Sequence, residues 1–382
     1  MMFTLCAVCA FGTESVLKKE ISRLGYEILS SENGSVKIKG SITDTYNLNL
    51  HLRTATRVLL EVAEFKAESF DELFDGIYAA DWQYFLPVNA KFNVEKITTV
   101  RSKLFSKSDC QRIIKKACAE KMKKAYKTST LTESGANYPI FVNLKNNIVS
   151  VYLNTSGDGL HKRGYRLNKG NAPLTETLAA SIVLLSGYIG QCEMADFMCG
   201  SGTIPIEAAM IASDTPAGIN RSFLLENWEN APLKEFALIK EKALAGIKAP
   251  EHRILASDIS YSQIKNAEAN AQRAGVADFI AFQKMDMNEF SSSKFGGTII
   301  CNPPYGERLG EKKASEELYA QMRRVFDRLH SWQLHVICAN PEFQRCFGKK
   351  ADKNRKLYNG NMLSYLYSYY PEKNKKESES NE

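Results

Sequence analysis

The run Cys301-Asn302-Pro303-Pro304-Tyr305-Gly306-Glu307-Arg308 carries the most specific chemistry in this chain of 382 residues. Neither proline ring has a backbone N–H, so the loop is stiff and lined by acceptors. The Asn302 amide oxygen and the Pro303 carbonyl suit a substrate that presents N–H donors, above all an exocyclic amino group. The lone pair of such an amine is delocalised into its base. Two acceptors would localise that pair and aim it at an electrophile. Tyr305 adds a ring face for an unstacked base. A plain Asn-Pro-Pro-Tyr-Gly turn is the alternative reading.

Three earlier patterns supply the other half of such a reaction. In Asp196-Phe-Met-Cys-Gly200-Ser201-Gly202-Thr203 a strand end meets a helix start, where a tight turn and close ligand approach both call for glycine. Pro205 stands where the dinucleotide fingerprint has its third glycine, which disfavours a nicotinamide enzyme. The pattern Asp-x-x-x-Gly-x-Gly fits an S-adenosylmethionine site, and a tight turn without ligand is the alternative. Asp258 follows the next strand and can accept both ribose hydroxyls. It can equally cap the next helix, although Ser260 is available for that task and would leave Asp258 free. It lies 56 residues beyond Gly202, where ~20 is usual. Residues 213–251 therefore read as an insertion with its own helix over 232–247. Asp286, after a further strand, can contact an adenine amine or serve as a turn residue.

These residues need strands that end beside them. Strands are predicted at 193–197, 254–258, 279–283, 297–301 and 334–338, with helices at 202–212, 260–274 and 314–329. That alternation predicts an open, mostly parallel sheet covered on both faces. The first half of the chain reads differently. Strands at 3–9, 35–39 and 57–65 alternate with helices at 14–24 and 41–50. A second α+β round follows: a helix near 69–77, a strand near 90–98, a basic helix at 108–126, and two strands within 139–153 that turn at Asn146–Ile148.

The net charge of +7 is unevenly spread: Lys91 to Lys127 holds twelve bases and three acids. Lys115, Lys116, Lys123 and Lys124 fall on the solvent half of the basic helix, with Ile113, Ile114, Ala117 and Met122 available for the core. Together with Lys162, Arg163 and Arg166 in the following connector they suit a nucleic-acid backbone. A solvated helix face is the plainer alternative. Nine scattered cysteines argue for reduced thiols in a cytoplasmic protein. Cys6 and Cys9 have CxxC spacing, but on a strand they face opposite ways. No two of the five histidines show metal-ligand spacing, and no apolar run approaches the ~18 residues of a membrane span. Neither a metal nor a membrane is expected.

The glycine loop, Asp258 and Asn-Pro-Pro-Tyr together resemble class I S-adenosylmethionine-dependent amino-methyltransferases. With Leu160-His-Lys-Arg-Gly-Tyr-Arg166 and Ala172-Pro-Leu-Thr-Glu-Thr-Leu178, nearly the whole chain resembles the bacterial THUMP-domain RNA guanine-N2 methyltransferases of large-subunit ribosomal RNA, in their monofunctional form. The resemblance implies an α/β Rossmann-like fold with a mostly parallel seven-stranded sheet behind an N-terminal α+β ferredoxin-like/THUMP module. The implied boundaries are a ferredoxin-like domain at 1–65, THUMP at 66–154, a connector at 155–174, the methyltransferase domain at 175–372 and a tail at 373–382. S-adenosylmethionine is the implied cofactor, held by Pro173, Thr175, Asp196, Gly200, Ser201, Gly202, Thr203, Asp258, Asp286 and Asn302. Asn302, Pro303, Pro304 and Tyr305 are the implied catalytic set. RNA is the implied partner, as 23S rRNA or a large-subunit precursor. The rivals are adenine-N6 or cytosine-N4 methylation of DNA or RNA, and a non-catalytic RNA-binding assembly factor.

Overall fold

Residues 1–166, 174–305, 311–360 and 362–371 are described by the computed structural model. They fall into two units. The first comprises Met1–Cys9, Lys18–Leu160 and Ser222–Glu241; the second comprises Ala10–Leu17, His161–Arg221 and Lys242–Glu382.

The elements of the first half, in chain order, are β1 (Phe3–Cys9), α1 (Glu14–Arg23), β2 (Ile28–Glu32), β3 (Ser35–Gly40), α2 (Ile42–His51), β4 (Ala55–Lys66), α3 (Phe70–Ala79), α4 (Trp82–Phe85), β5 (Val94–Val100), α5 (Lys107–Tyr126), β6 (Ile140–Lys145) and β7 (Ile148–Asn154). One seven-stranded sheet runs β2-β3-β1-β4-β7-β6-β5. The hinge of that order is β4, twelve residues long. Its Leu60 pairs with Leu5 of β1 on one side and with Leu153 of β7 on the other. The two α+β rounds seen in the sequence therefore share a single sheet. Asn146 and Asn147 both have positive φ, 52° and 65°, the geometry of a type I′ turn that joins β6 to β7. Residues 222–241, within the stretch read as an insertion, pack in this unit. Phe236 stacks on Tyr46 at 4.4 Å between centroids, and Trp228 stacks on Tyr138 at 4.8 Å.

The remaining elements are α6 (Glu176–Leu185), β8 (Met194–Asp196), α7 (Thr203–Ala212), α8 (Leu233–Ala245), β9 (Ile254–Asp258), α9 (Tyr261–Ala274), β10 (Ile280–Lys284), β11 (Gly297–Cys301), α10 (Glu311–Asp327), β12 (Trp332–Cys338), α11 (Phe343–Phe347), β13 (Lys353–Asn359) and β14 (Met362–Tyr369). The second sheet runs β10-β9-β8-β11-β12-β14-β13. Its first five strands are parallel, and a β13–β14 hairpin closes it in antiparallel fashion. Strand residues alternate between two cores. Met194, Ile254 and Ile300 join helices α6, α7 and α9 on one face. Ala195, Ile299, Cys301 and Val336 join α10 and α11 on the other. The strand order reverses between β8 and β11, and ligands of doubly wound sheets bind in the crevice beyond the strand ends at such a reversal. Among the described residues no helix is long and apolar enough to cross a membrane.

Candidate functional site

A cavity of about 880 Å3 opens at the C-terminal ends of β8, β9, β10 and β11. It lies within the ~300–1,000 Å3 range of small-molecule sites. Asp196, Gly200, Ser201, Thr203, Asp258, Asp286 and Asn302 to Tyr305 all line it. Residues spread over more than a hundred positions of sequence thus meet at one place.

The glycine loop is set by backbone geometry. Gly200 has φ +51°, and a side chain there would meet nothing within 4 Å, so the position opens onto space. Gly202 has φ +85°, and a Cβ would come within 2.9 Å of the Ala267 Cβ. It therefore serves the close packing of α7 on α9 and does not line the cavity. The Cys199 N–H donates to the Ser257 carbonyl at 2.9 Å, and the Gly200 N–H donates to Asp258 Oδ2, also at 2.9 Å. Asp258 Oδ1 accepts the Ser260 N–H at 2.8 Å. This corrects the division of labour read from sequence. Ser260 makes no side-chain cap bond; Asp258 ties the glycine loop to the start of α9 while lining the cavity.

Asp196 is buried, 2 % exposed, and accepts the Met198 N–H at 3.1 Å. Burial above all pushes its carboxyl up to about 8; the nearby Asp258 carboxylate adds to this and the Met198 N–H opposes it. Asp286 Oδ1 accepts the Asn288 N–H at 2.8 Å while the residue lines the far end. Thr175 is the N-cap residue of α6 and does not line the cavity, whereas its neighbour Leu174 does. Pro173 lies outside the described residues.

The proline loop is held by side chains. Tyr319 donates to the Pro304 carbonyl at 2.8 Å, and the Asn340 amide donates to the Tyr305 carbonyl at 3.4 Å. The Tyr305 hydroxyl donates to Asn302 Oδ1 at 2.5 Å. The acceptor expected for an amine thus already takes one hydrogen bond from the loop's own tyrosine, and its second lone pair is left for an incoming N–H. Cys301 is fully buried, and burial first, then Asp196 and Cys338, pushes its thiol up. That is opposite to what a nucleophilic thiolate needs.

The cations of the connector do not behave as a phosphate site. Arg163 is 2 % exposed, with its Nε 3.5 Å from Glu207 Oε1, which also accepts the Tyr165 hydroxyl at 3.0 Å. Arg166 lines the cavity and donates to the Leu174 carbonyl at 3.1 Å and to Thr203 Oγ1. Only Lys162 of the three is exposed. On α5, Lys115 is also spoken for: its ammonium lies 2.8 Å from both Glu133 oxygens and 4.0 Å from the Phe92 ring centre. Lys116, Lys123 and Lys124 are exposed, the first 3.9 Å from Glu120.

Sequence reading missed the supports on α9. Asn270 donates to the Ser201 carbonyl at 2.9 Å, and Arg273 donates to the Tyr165 carbonyl at 2.7 Å. With Gln263 and Asn266 they form a polar ridge along the cavity, beside the apolar ridge Ile264, Ala267, Ala271 and Ala274. Spacings of three and four on one helix face were the signal that could have found them.

The residues fit an adenosyl ligand with an amino-acid end. A side-chain-free cradle lies at Gly200, carboxylates stand at the ends of three successive strands, and the space suffices. Comparisons with known proteins agree. The methyltransferase domain of the RMKL-like family matches residues 163–367, the RlmL ferredoxin-like domain matches 4–59, and the THUMP domain matches 67–154. A curated relative, "Putative RNA methyltransferase YpsC" of Bacillus subtilis, is 41% identical over 372 residues, 96% of each chain. The solved structure of a possible methylase from Clostridium difficile 630 is 40% identical, with a TM-score of 0.94 over 98% of this chain and 99% of that one. SMU.472, "a putative methyltransferase complexed with SAH", is 37% identical with a TM-score of 0.91, covering 98% and 99%. The parallel sheet with its strand-end cavity, the shared N-terminal sheet and these matches over nearly the full length agree: the chain belongs to the THUMP-containing RNA methyltransferases of the RlmL/YpsC type.

Proposed function

We propose that this S-adenosylmethionine-dependent RNA methyltransferase acts on the exocyclic N2 of a guanine in structured RNA, with 23S rRNA as substrate. The observation that carries the reading is the Asn302–Tyr305 loop at the end of β11, beside the glycine-loop cavity. Asp258 would hold the ribose hydroxyls, Asp286 the adenine edge, and Gly200 to Thr203 the amino-acid end. When bound, the donor supplies an electrophilic methyl on a sulfonium, which needs neither metal nor covalent intermediate.

The chain's own part is alignment and electrostatics. Asn302 Oδ1, which accepts the Tyr305 hydroxyl through one lone pair, accepts one amine proton of a flipped base through the other. The Pro303 carbonyl, which accepts no hydrogen bond among the described residues, is the second acceptor. The Tyr305 ring then stacks on the base. The spare proton leaves to water after transfer, so no general base is required.

Support for RNA over DNA comes from the THUMP module. The acceptor pair alone suits adenine N6 or cytosine N4 equally well. The experiment is methyl transfer to ribosomal RNA from a deletion strain, followed by nucleoside analysis. N2-methylguanosine at one site is expected; N6-methyladenosine or N4-methylcytidine would replace the guanine reading. Asn302→Ala should lose about 100-fold or more in turnover, and equal turnover would remove the amine-holding role.

A further inference from the structure

We infer that the outer edge of β13 is a second RNA contact, carried by the methyltransferase domain itself, that holds the strand next to the modified nucleotide. The inference needs RNA as substrate but not the identity of the modified base. Lys349 to Lys356 holds five bases and one acid in eight residues, a denser charge than the stretch from Lys91 to Lys127. β13 is the last strand of its sheet and pairs only with β14. Its register gives the distance to the site. Lys356 lies opposite Tyr365, Tyr365 opposite Cys338, and Val336, two residues earlier, opposite Cys301. Lys356 thus stands level with the Asn302–Tyr305 loop, three strand spacings or about 14 Å away. An RNA strand whose base enters that loop can run on along this edge.

Lys350, Lys353 and Lys356 are exposed, and among the described residues none of the three forms an ion pair. The acid of the run, Asp352, accepts the Tyr370 N–H through Oδ2 at 2.8 Å. Arg355 works as a scaffold: it donates to Ser15 Oγ at 2.9 Å and to the Gly12 carbonyl at 3.4 Å. Gly12 lies so close to the strand that a Cβ would come within 2.7 Å of the Lys356 carbonyl. This clamp sets Phe11 against Tyr358, with ring centres 5.9 Å apart. Phe11 stays 48 % exposed, and the Lys356 ammonium lies 5.6 Å from the Tyr358 ring centre. A single strand of RNA uses such a surface in two ways: the exposed ring takes a base, and the unpaired lysines take successive phosphates. Lysines on an edge strand can also serve only to repel another strand, and the experiment separates the two roles.

The test uses the full chain and a fluorescein-labelled single-stranded RNA in anisotropy titrations at several salt concentrations. Lys350→Gln, Lys353→Gln and Lys356→Gln combined should weaken binding and lower the logarithmic salt slope by about 0.7 for each lost phosphate contact, about 2 in all. Phe11→Ala should weaken binding about 5- to 100-fold without changing the slope, because it removes a ring and no charge. Both variants should bind S-adenosylhomocysteine as the wild type does, which reports an intact fold. If Phe11→Ala does not fold, the lysine variant, altered only at exposed positions, carries the test alone. Unchanged RNA affinity and slope in the lysine variant would overturn the inference, and self-association of that variant in size-exclusion chromatography would then mark the lysines as guards of a bare edge. If neutralising Lys123 and Lys124 weakens binding while this variant does not, RNA remains the substrate and only this surface falls.

Discussion

Two basic stretches look alike in composition and differ in space. On α5 the exposed lysines Lys116, Lys123 and Lys124 point away from the buried stripe of Cys110, Ile114, Ala117, Cys118 and Met122. In the segment before α6, Arg163 and Arg166 turn inward to Glu207, Thr203 and Glu176. The first run keeps most of its charge for a partner; the second spends its charge on the protein's own acids. Net charge in a window of sequence is therefore not charge at a surface. Even in the stretch from Lys91 to Lys127 the balance is smaller than counting suggests, because Glu68, Asp81 and Glu133 approach Lys103, Lys121 and Lys115 from outside it.

The largest expected effect breaks the inward-facing member. Arg163→Met leaves Glu207, fully buried and with Oε2 already unpartnered, without its counter-charge. About 3–5 kcal/mol of stability should be lost in urea unfolding. Adding Glu207→Gln should return much of it, and a silent Arg163→Met would mean that the pair is not a closed structural unit.

A smaller effect comes from Asp196 at the end of β8, whose carboxyl has no ion-pair partner among the described residues. An ordinary Asp titrates near ~3.9, and burial pushes Asp196 up to about 8. Between those values the folded chain holds a proton that the unfolded chain has released. Stability of the ligand-free protein should thus fall as pH rises through that window, by at most about 1.4 kcal/mol per unit. Asp196→Asn should flatten this part of the melting profile; an unaltered profile would place the proton elsewhere.

The smallest effects sharpen the outward-facing member. Neutralising Lys123 and Lys124 together should weaken RNA binding and lower its logarithmic salt slope by about 1 for each phosphate that is no longer neutralised. Lys115→Gln should leave RNA affinity untouched and cost below about 1 kcal/mol, since that lysine already faces Glu133. Equal RNA losses from Lys115 and from the Lys123–Lys124 pair would erase the distinction drawn within α5.

What the sequence made legible follows the range of the forces involved. Glycine φ demands, proline loops and alternating strands act over a few residues, so β9 and β11 lie where the pattern predicted, and Asp196, Asp258, Asp286 and Asn302 converge. The β13–β14 hairpin and the edge strand β2 escaped notice: β2 and β13 are polar segments that owe their conformation to neighbours, and β14 pairs with β12 across more than twenty residues of sequence. The side-chain partners were illegible for the same reason. Glu133 is 18 residues from Lys115, and Glu207 is 44 from Arg163. Tyr305 closing on Asn302 is local, but a tyrosine hydroxyl and a tyrosine ring are equally good readings of one letter.

The long strand β4 has a consequence for how this protein is made. Its outer half, Glu61 to Lys66, is paired only with Ile148 to Tyr152. On a ribosome that edge stays bare while more than eighty further residues are synthesised, an open template for other chains. Glu61 and Glu64, bridged by Lys37 at 2.7 and 2.5 Å, put charge on this stretch and act as gatekeepers against stray pairing during that wait. A fragment cut near residue 66 would carry the bare edge permanently and should precipitate, whereas one that runs through Asn154 closes its sheet.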